Sequence, residues 1–196
     1  MTSRVVLISP AMNRSLRQAR FDDGGPLDEG GRKQAAAAAG SLPSASQVAL
    51  SPSTRCRQTA GALGLDGPEA AGLRGLDVGR WRGRTLDEVT VAEPDAVGRW
   101  LTDPGSAPHG GESVRDACAR VAHWLDGLRE TDGRTLAVVE PDVVRAAVVH
   151  ALHLPAAGFW RLDVPPLTAT EFSGRAGRWN LRLGRPLDVP EAGPGF

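Results

Sequence analysis

The residues best placed to do chemistry in this chain sit beside prolines. Ser9-Pro10 closes the apolar run "RVVLIS", Ser51-Pro52 closes "QVALS", and Glu140-Pro141-Asp142 closes "RTLAVVE". Each run reads as a buried strand, and the tips of parallel strands, with the helix starts that follow them, are where α/β proteins gather reactive groups. Glu140 and Asp142 flank a proline and have the chemistry of a general acid and base, although Asp142 equally suits the first turn of the helix beginning near Val143. Arg55, just past the second tip, can grip an anion or neutralise Glu140. Around these stand His109 in "SAPHGGES" and Ser9, Asn13, Arg14 and Arg17 beside the first tip. Of these, Ser9, Asn13, Arg55, His109, Glu140 and Asp142 are the candidate ligand contacts, with Glu140 and Arg55 the candidate catalytic pair. His150 and His153 lie on a helix used for packing. Trp81 and Trp100 could line a mouth but more commonly anchor a core.

The elements that must position these groups are legible from periodicity. "GPLDEGGRKQAAAAAGSL" has a polar start and an alanine-rich helix, and a second helix follows from about Thr54 to Leu63. In "ESVRDACARVAHWLDGLRE", Val114, Ala117, Cys118, Val121, Trp124, Leu125 and Leu128 share one helical face. "DVVRAAVVHALHL" follows the third strand as a helix. "LTATEFSGRAGRWNLRL" alternates about a glycine turn, which predicts an antiparallel hairpin at a sheet edge. Together these predict a three-layer α/β/α sandwich with a mostly parallel mixed sheet. The sandwich is expected over residues 1–184, and 185–196, "RPLDVPEAGPGF", as a Pro/Gly-rich tail.

Five segments, in order, resemble the histidine phosphatase superfamily, the phosphoglycerate-mutase-like phosphohydrolases. They are "GPLDEGGRKQA", "SPSTRCRQTA", "LDVGRWRGRTLDEV", "PHGGESVRDACARV" and "VVRAAVVHALHLP". The resemblance implies the same sandwich. It also implies a site with a nucleophilic histidine, two arginines, a second histidine and a carboxylic acid. At those places this sequence has Pro10 for the nucleophile, Ser9 for the arginine before it, Gly75 for the acid with Asp77 nearby, and Glu140 for the second histidine. Only Arg55 stands where the resemblance puts it. Losing three phosphate partners at about 1.5 kcal/mol each removes more than about three decades of affinity. Two expectations follow: a pseudophosphatase that binds a small molecule or partner chain, or a repurposed isomerase, lyase or cyclase with Glu140 as base and Arg55 or His109 as its electrostatic partner.

Composition narrows the classes. The formal net charge is zero over 196 residues, with basic residues scattered, which argues against nucleic acid and membrane surfaces as partners. No apolar stretch approaches the roughly 20 residues of a membrane span, and no signal-like leader is present, so a cytoplasmic protein is the default. Cys56 and Cys118 lack metal-site spacing and read as reduced thiols, so no metal and no cofactor is expected. A homodimer is left open.

Overall fold

The computed structural model describes residues 3–128, 133–175 and 178–187. Strands β1 (Ser3–Ile8), β2 (Gln47–Leu50), β3 (Gly133–Val138), β4 (Thr168–Arg175) and β5 (Arg178–Pro186) form one sheet in the order β2-β3-β1-β4-β5. β2, β3 and β1 are parallel, while β4 and β5 run antiparallel to their inner neighbours. The expected mixed sheet with an edge hairpin is therefore the observed one. Its helices are α1 (Arg14–Arg17), α2 (Glu29–Ala37), α3 (Thr54–Ala62), α4 (Leu86–Ala92), α5 (Pro94–Thr102), α6 (Val114–Gly127) and α7 (Pro141–Ala151).

The alternation of side chains along a strand divides the core into two layers. Val5 and Leu7 of β1 join Ala137, Phe172 and Trp179 beneath α6 and α7, where Val121, Leu125, Val144 and Val148 close the layer. Val6 and Ile8 point the opposite way, onto Leu136, Val138, Cys56, Ala60 and Leu63 on the α3 side. The stripe Val114, Ala117, Val121 and Leu125 is the buried face of α6, as its spacing requires. A third cluster, Trp81, Val89, Val97 and Trp100, holds α4 and α5 beside the sheet's carboxyl end.

The hairpin continues past the boundary expected from sequence. Arg185 pairs with Ala169, Pro186 with Thr168, and Leu187 is buried with its amide donating to the Leu167 carbonyl at 2.9 Å. A proline is tolerated there because β5 is an edge strand. The first residues of the expected tail thus belong to the sheet, while 188–196 lie outside the described residues.

Candidate functional site

The carboxyl ends of β1, β2 and β3 open into a crevice of about 780 Å³. β2 and β3 each lead into a helix start that turns polar side chains into it, while the tip of β1 contributes Pro10. After β2, Ser53 caps α3, its hydroxyl accepting from the Cys56 amide at 3.2 Å. That cap places Arg55 in the first turn, facing inward. After β3, Glu140 is the N-cap residue of α7 and Pro141 its first helical residue, a place where the missing N–H costs nothing.

These two helix starts bring Arg55 and Glu140 together. Arg55 Nε donates to Glu140 Oε2 at 2.9 Å and Oε1 at 3.0 Å, and Nη2 also donates to Oε2. Ser53 Oγ donates to Oε1 at 2.6 Å, and Cys56 Sγ lies 3.6 Å from the same oxygen. Both charged side chains are only 8% exposed. Burial works to discharge Arg55, but the Glu140 carboxylate outweighs it and holds the guanidinium above its ordinary value. Burial and the same carboxylate push the Cys56 thiol far up, so it is an inert neutral donor.

Two further carboxyls share this floor. Asp142 accepts from its own helix at the Val143 amide, 3.0 Å away, and from the Leu76 amide. Burial, and secondarily the charge of Glu140, raise it above the usual carboxylate range. Asp22, on the loop before α2, accepts a long 3.5 Å bond from Asn13 Nδ2. Burial and then Glu140 raise it too, against the opposing pull of Arg55 and Arg82. Arg145 of α7 donates Nε to the Leu162 carbonyl at 2.7 Å and stands 5.8 Å from the Trp160 ring, its pKa lowered by burial. Phe21, Trp100, Trp160 and Val164 supply the apolar walls, and Arg82 and Asp77 add charge to the lining.

Of the six residues expected to contact a ligand, Arg55, Glu140 and Asp142 converge here and three do not line the crevice. Ser9 is fully buried, its hydroxyl 2.5 Å from the Pro165 carbonyl and accepting from the Thr168 amide at 3.0 Å. Asn13 caps α1 through the Leu16 amide at 2.9 Å. His109 lies behind Trp81 and Trp100, with ring centroids 5.0 and 6.3 Å away, and its Nδ1 accepts from the Gly111 amide at 3.0 Å. Burial lowers its pKa, so it is a neutral core ring and not a mouth residue. Trp81 is likewise core, while Trp100 serves both core and crevice wall.

Sequence reasoning missed Asp22, Arg82, Arg145 and Trp160. "RFDDGG" signals only a turn, and Arg145 lies on a helix that reads as apolar packing. None of the four histidines, His109, His123, His150 and His153, lines the crevice. Among the described residues no three His, Cys, Asp or Glu side chains are grouped to hold a metal ion.

The fold and crevice define an α/β sandwich with its site at the carboxyl ends of parallel strands. Residues 11–185 match the histidine phosphatase superfamily (branch 1), and the chain belongs to that family. It is 34% identical over 135 residues to a bifunctional protein of Mycobacterium tuberculosis, covering 64% of this chain but 37% of that one. The chain thus spans little more than a third of the length of such relatives. It is 30% identical over 195 residues to glucosyl-3-phosphoglycerate phosphatase of Mycolicibacterium vanbaalenii, covering 83% of this chain and 87% of that one. Among solved structures, a mycobacterial glucosyl-3-phosphoglycerate phosphatase bound to VO3 is 27% identical, with a TM-score of 0.82 over 93% of this chain and 98% of the other.

Proposed function

We propose that this chain is a histidine-phosphatase-family protein that works without a phosphohistidine, its crevice serving to bind a small molecule or a partner chain. One observation carries the reading: the crevice contains no histidine, and at its floor a glutamate closes on Arg55. Attack on phosphorus needs a nucleophile, and the floor offers carboxylates already engaged as acceptors. At the floor a phosphate dianion meets the Glu140 carboxylate, and Arg55 beside it is already neutralised, so the cations left to it are those on the walls, such as Arg82.

A second reading, acid–base chemistry in the same crevice, is favoured by the raised carboxyls of Asp22 and Asp142. It assigns the proton-transfer role to those two groups. Glu140 makes a poor base because hydrogen bonds from Ser53 and Arg55 already occupy its oxygens.

Hydrolysis of p-nitrophenyl phosphate, run beside acid-quenched trapping of a phosphoenzyme from labelled phosphoester, tests the reading. The expected result is neither turnover above the buffer rate nor an acid-labile phosphoprotein. Turnover that disappears in Arg55→Ala while the protein remains folded overturns it.

A further inference from the structure

The sheet carries a second concave site at its other end. Helix α3 and the end of α2 cover Ile8, Leu50, Leu136 and Val138 on one face, toward the crevice. Further along that same face, towards the amino end of β1, the residues become polar and charged. Arg4 is in register with Arg134 on β3 and with Ser173 on β4, and Ser173 is in register with Asn180 on β5. One step along, Glu171 pairs with Arg182. These side chains line a hollow of about 330 Å³.

Among the described residues the charges that line it are unbalanced. Arg4 and Arg182 are exposed and form no ion pair with a described residue, while Arg134 spends one Nη on the Ser44 carbonyl at 3.0 Å. Glu171, the one carboxylate among the described residues that line the hollow, already accepts from Arg185 Nε at 3.4 Å. Arg4 and Arg134 project side by side from adjacent strands about 4.8 Å apart, and like charges so placed repel. Edge protection accounts for a charge on β5, but not for two arginines abreast on the inner strands β1 and β3.

We infer that this hollow is an anion site for a small molecule bearing two linked anionic groups, a diphosphate or its equivalent. The span from Arg4 to β5 is two strand spacings, about 10 Å, which flexible guanidinium arms bridge from both sides. One anionic group sits in the fork between Arg4 and Arg134, the other against Arg182, and Ser173 and Asn180 supply neutral donors between them. The hollow and the crevice share no lining residue.

Inorganic pyrophosphate is the probe, titrated calorimetrically into the full chain at low ionic strength, with orthophosphate in parallel. Pyrophosphate is expected to bind at least tenfold more tightly than orthophosphate. The Arg4→Gln/Arg182→Gln variant is expected to lose at least tenfold, and Arg82→Gln in the crevice less than twofold. Arg4, Arg82 and Arg182 are all exposed, so the variants fold, and backbone amide shifts on pyrophosphate addition should fall in β1, β3, β4 and β5. Undiminished binding to the double variant, loss in Arg82→Gln, or equal affinity for orthophosphate overturns the site.

Discussion

Asp22 is the residue whose titration reports most directly on the crevice. Its carboxyl is raised by burial and by the charge of Glu140, so the folded protein holds that proton more tightly than the unfolded chain does. Stability from this group is therefore present at low pH and is lost as pH climbs from the ordinary carboxylate value through the raised one. Asp22→Asn keeps an oxygen for the Asn13 amide and removes the ionisation. The variant should melt higher than wild type at pH 7, by about 1–2 °C after allowance for solvent screening, and no higher below about pH 4. Melting curves across that range check both halves. An equal gain at pH 3.5 and pH 7 would show that packing, not charge, is responsible. The neighbouring raised group, Asp142, is held by two backbone amides and so adds structural constraint to the same electrostatic tension.

At the scale of elements, the site is an arrangement of helix starts. Ser53 ties two of them: it caps α3 through the Cys56 amide and hydrogen-bonds Glu140 at the start of α7. Ser53→Ala should cost about 2–3 kcal/mol, the sum of a cap and a bond to a charged acceptor, with Ser53→Thr close to wild type. The urea midpoint should fall with the slope unchanged. A loss under about 0.5 kcal/mol would mean that the two helix starts are set independently. The elements that sequence reading recovers are those with an apolar period, a buried run or a strong helix-former run: β1, β2, β3, α2, α3, α6, α7 and the edge hairpin. It passes over α4 and α5, which are short, although Thr85 and Glu88 form a capping box and Pro94 opens α5 at its first position. The strand tips predict Arg55, Glu140 and Asp142 because a strand's end fixes where the next residue points. They mispredict Ser9, because residue alternation at the end of β1 turns its hydroxyl toward the β4 loop. Asp22 and His109 sit in irregular loops, whose course depends on long-range contacts such as the Trp81–Trp100 cluster, and no local pattern encodes those.

For the molecule as a whole, the question is whether framework and site are separable. The two core layers on either face of the sheet draw on none of Pro10, Gly75 or Glu140. What ties the site to the fold is charge: Arg55 is buried and needs a carboxylate. Glu140→His alone leaves that guanidinium unpaired, and removing one partner of a buried pair costs about 3–5 kcal/mol. A side chain at position 75 can restore the balance, because a Cβ there would stand 3.1 Å from Glu140 Cγ and 3.6 Å from Asp142 Oδ2. Gly75→Glu in the native background forces a fourth carboxylate onto this floor and should destabilise. In a Glu140→His background the same glutamate occupies the vacated space and faces Arg55. The Pro10→His/Gly75→Glu/Glu140→His variant should therefore melt higher than Glu140→His alone, and should hydrolyse p-nitrophenyl phosphate above the wild-type background. Calorimetric melting and the phosphatase assay, run on all four proteins, decide it. A triple variant less stable than Glu140→His would mean that the crevice and the sheet beneath it have become a single cooperative unit, and that the ion pair now belongs to the framework.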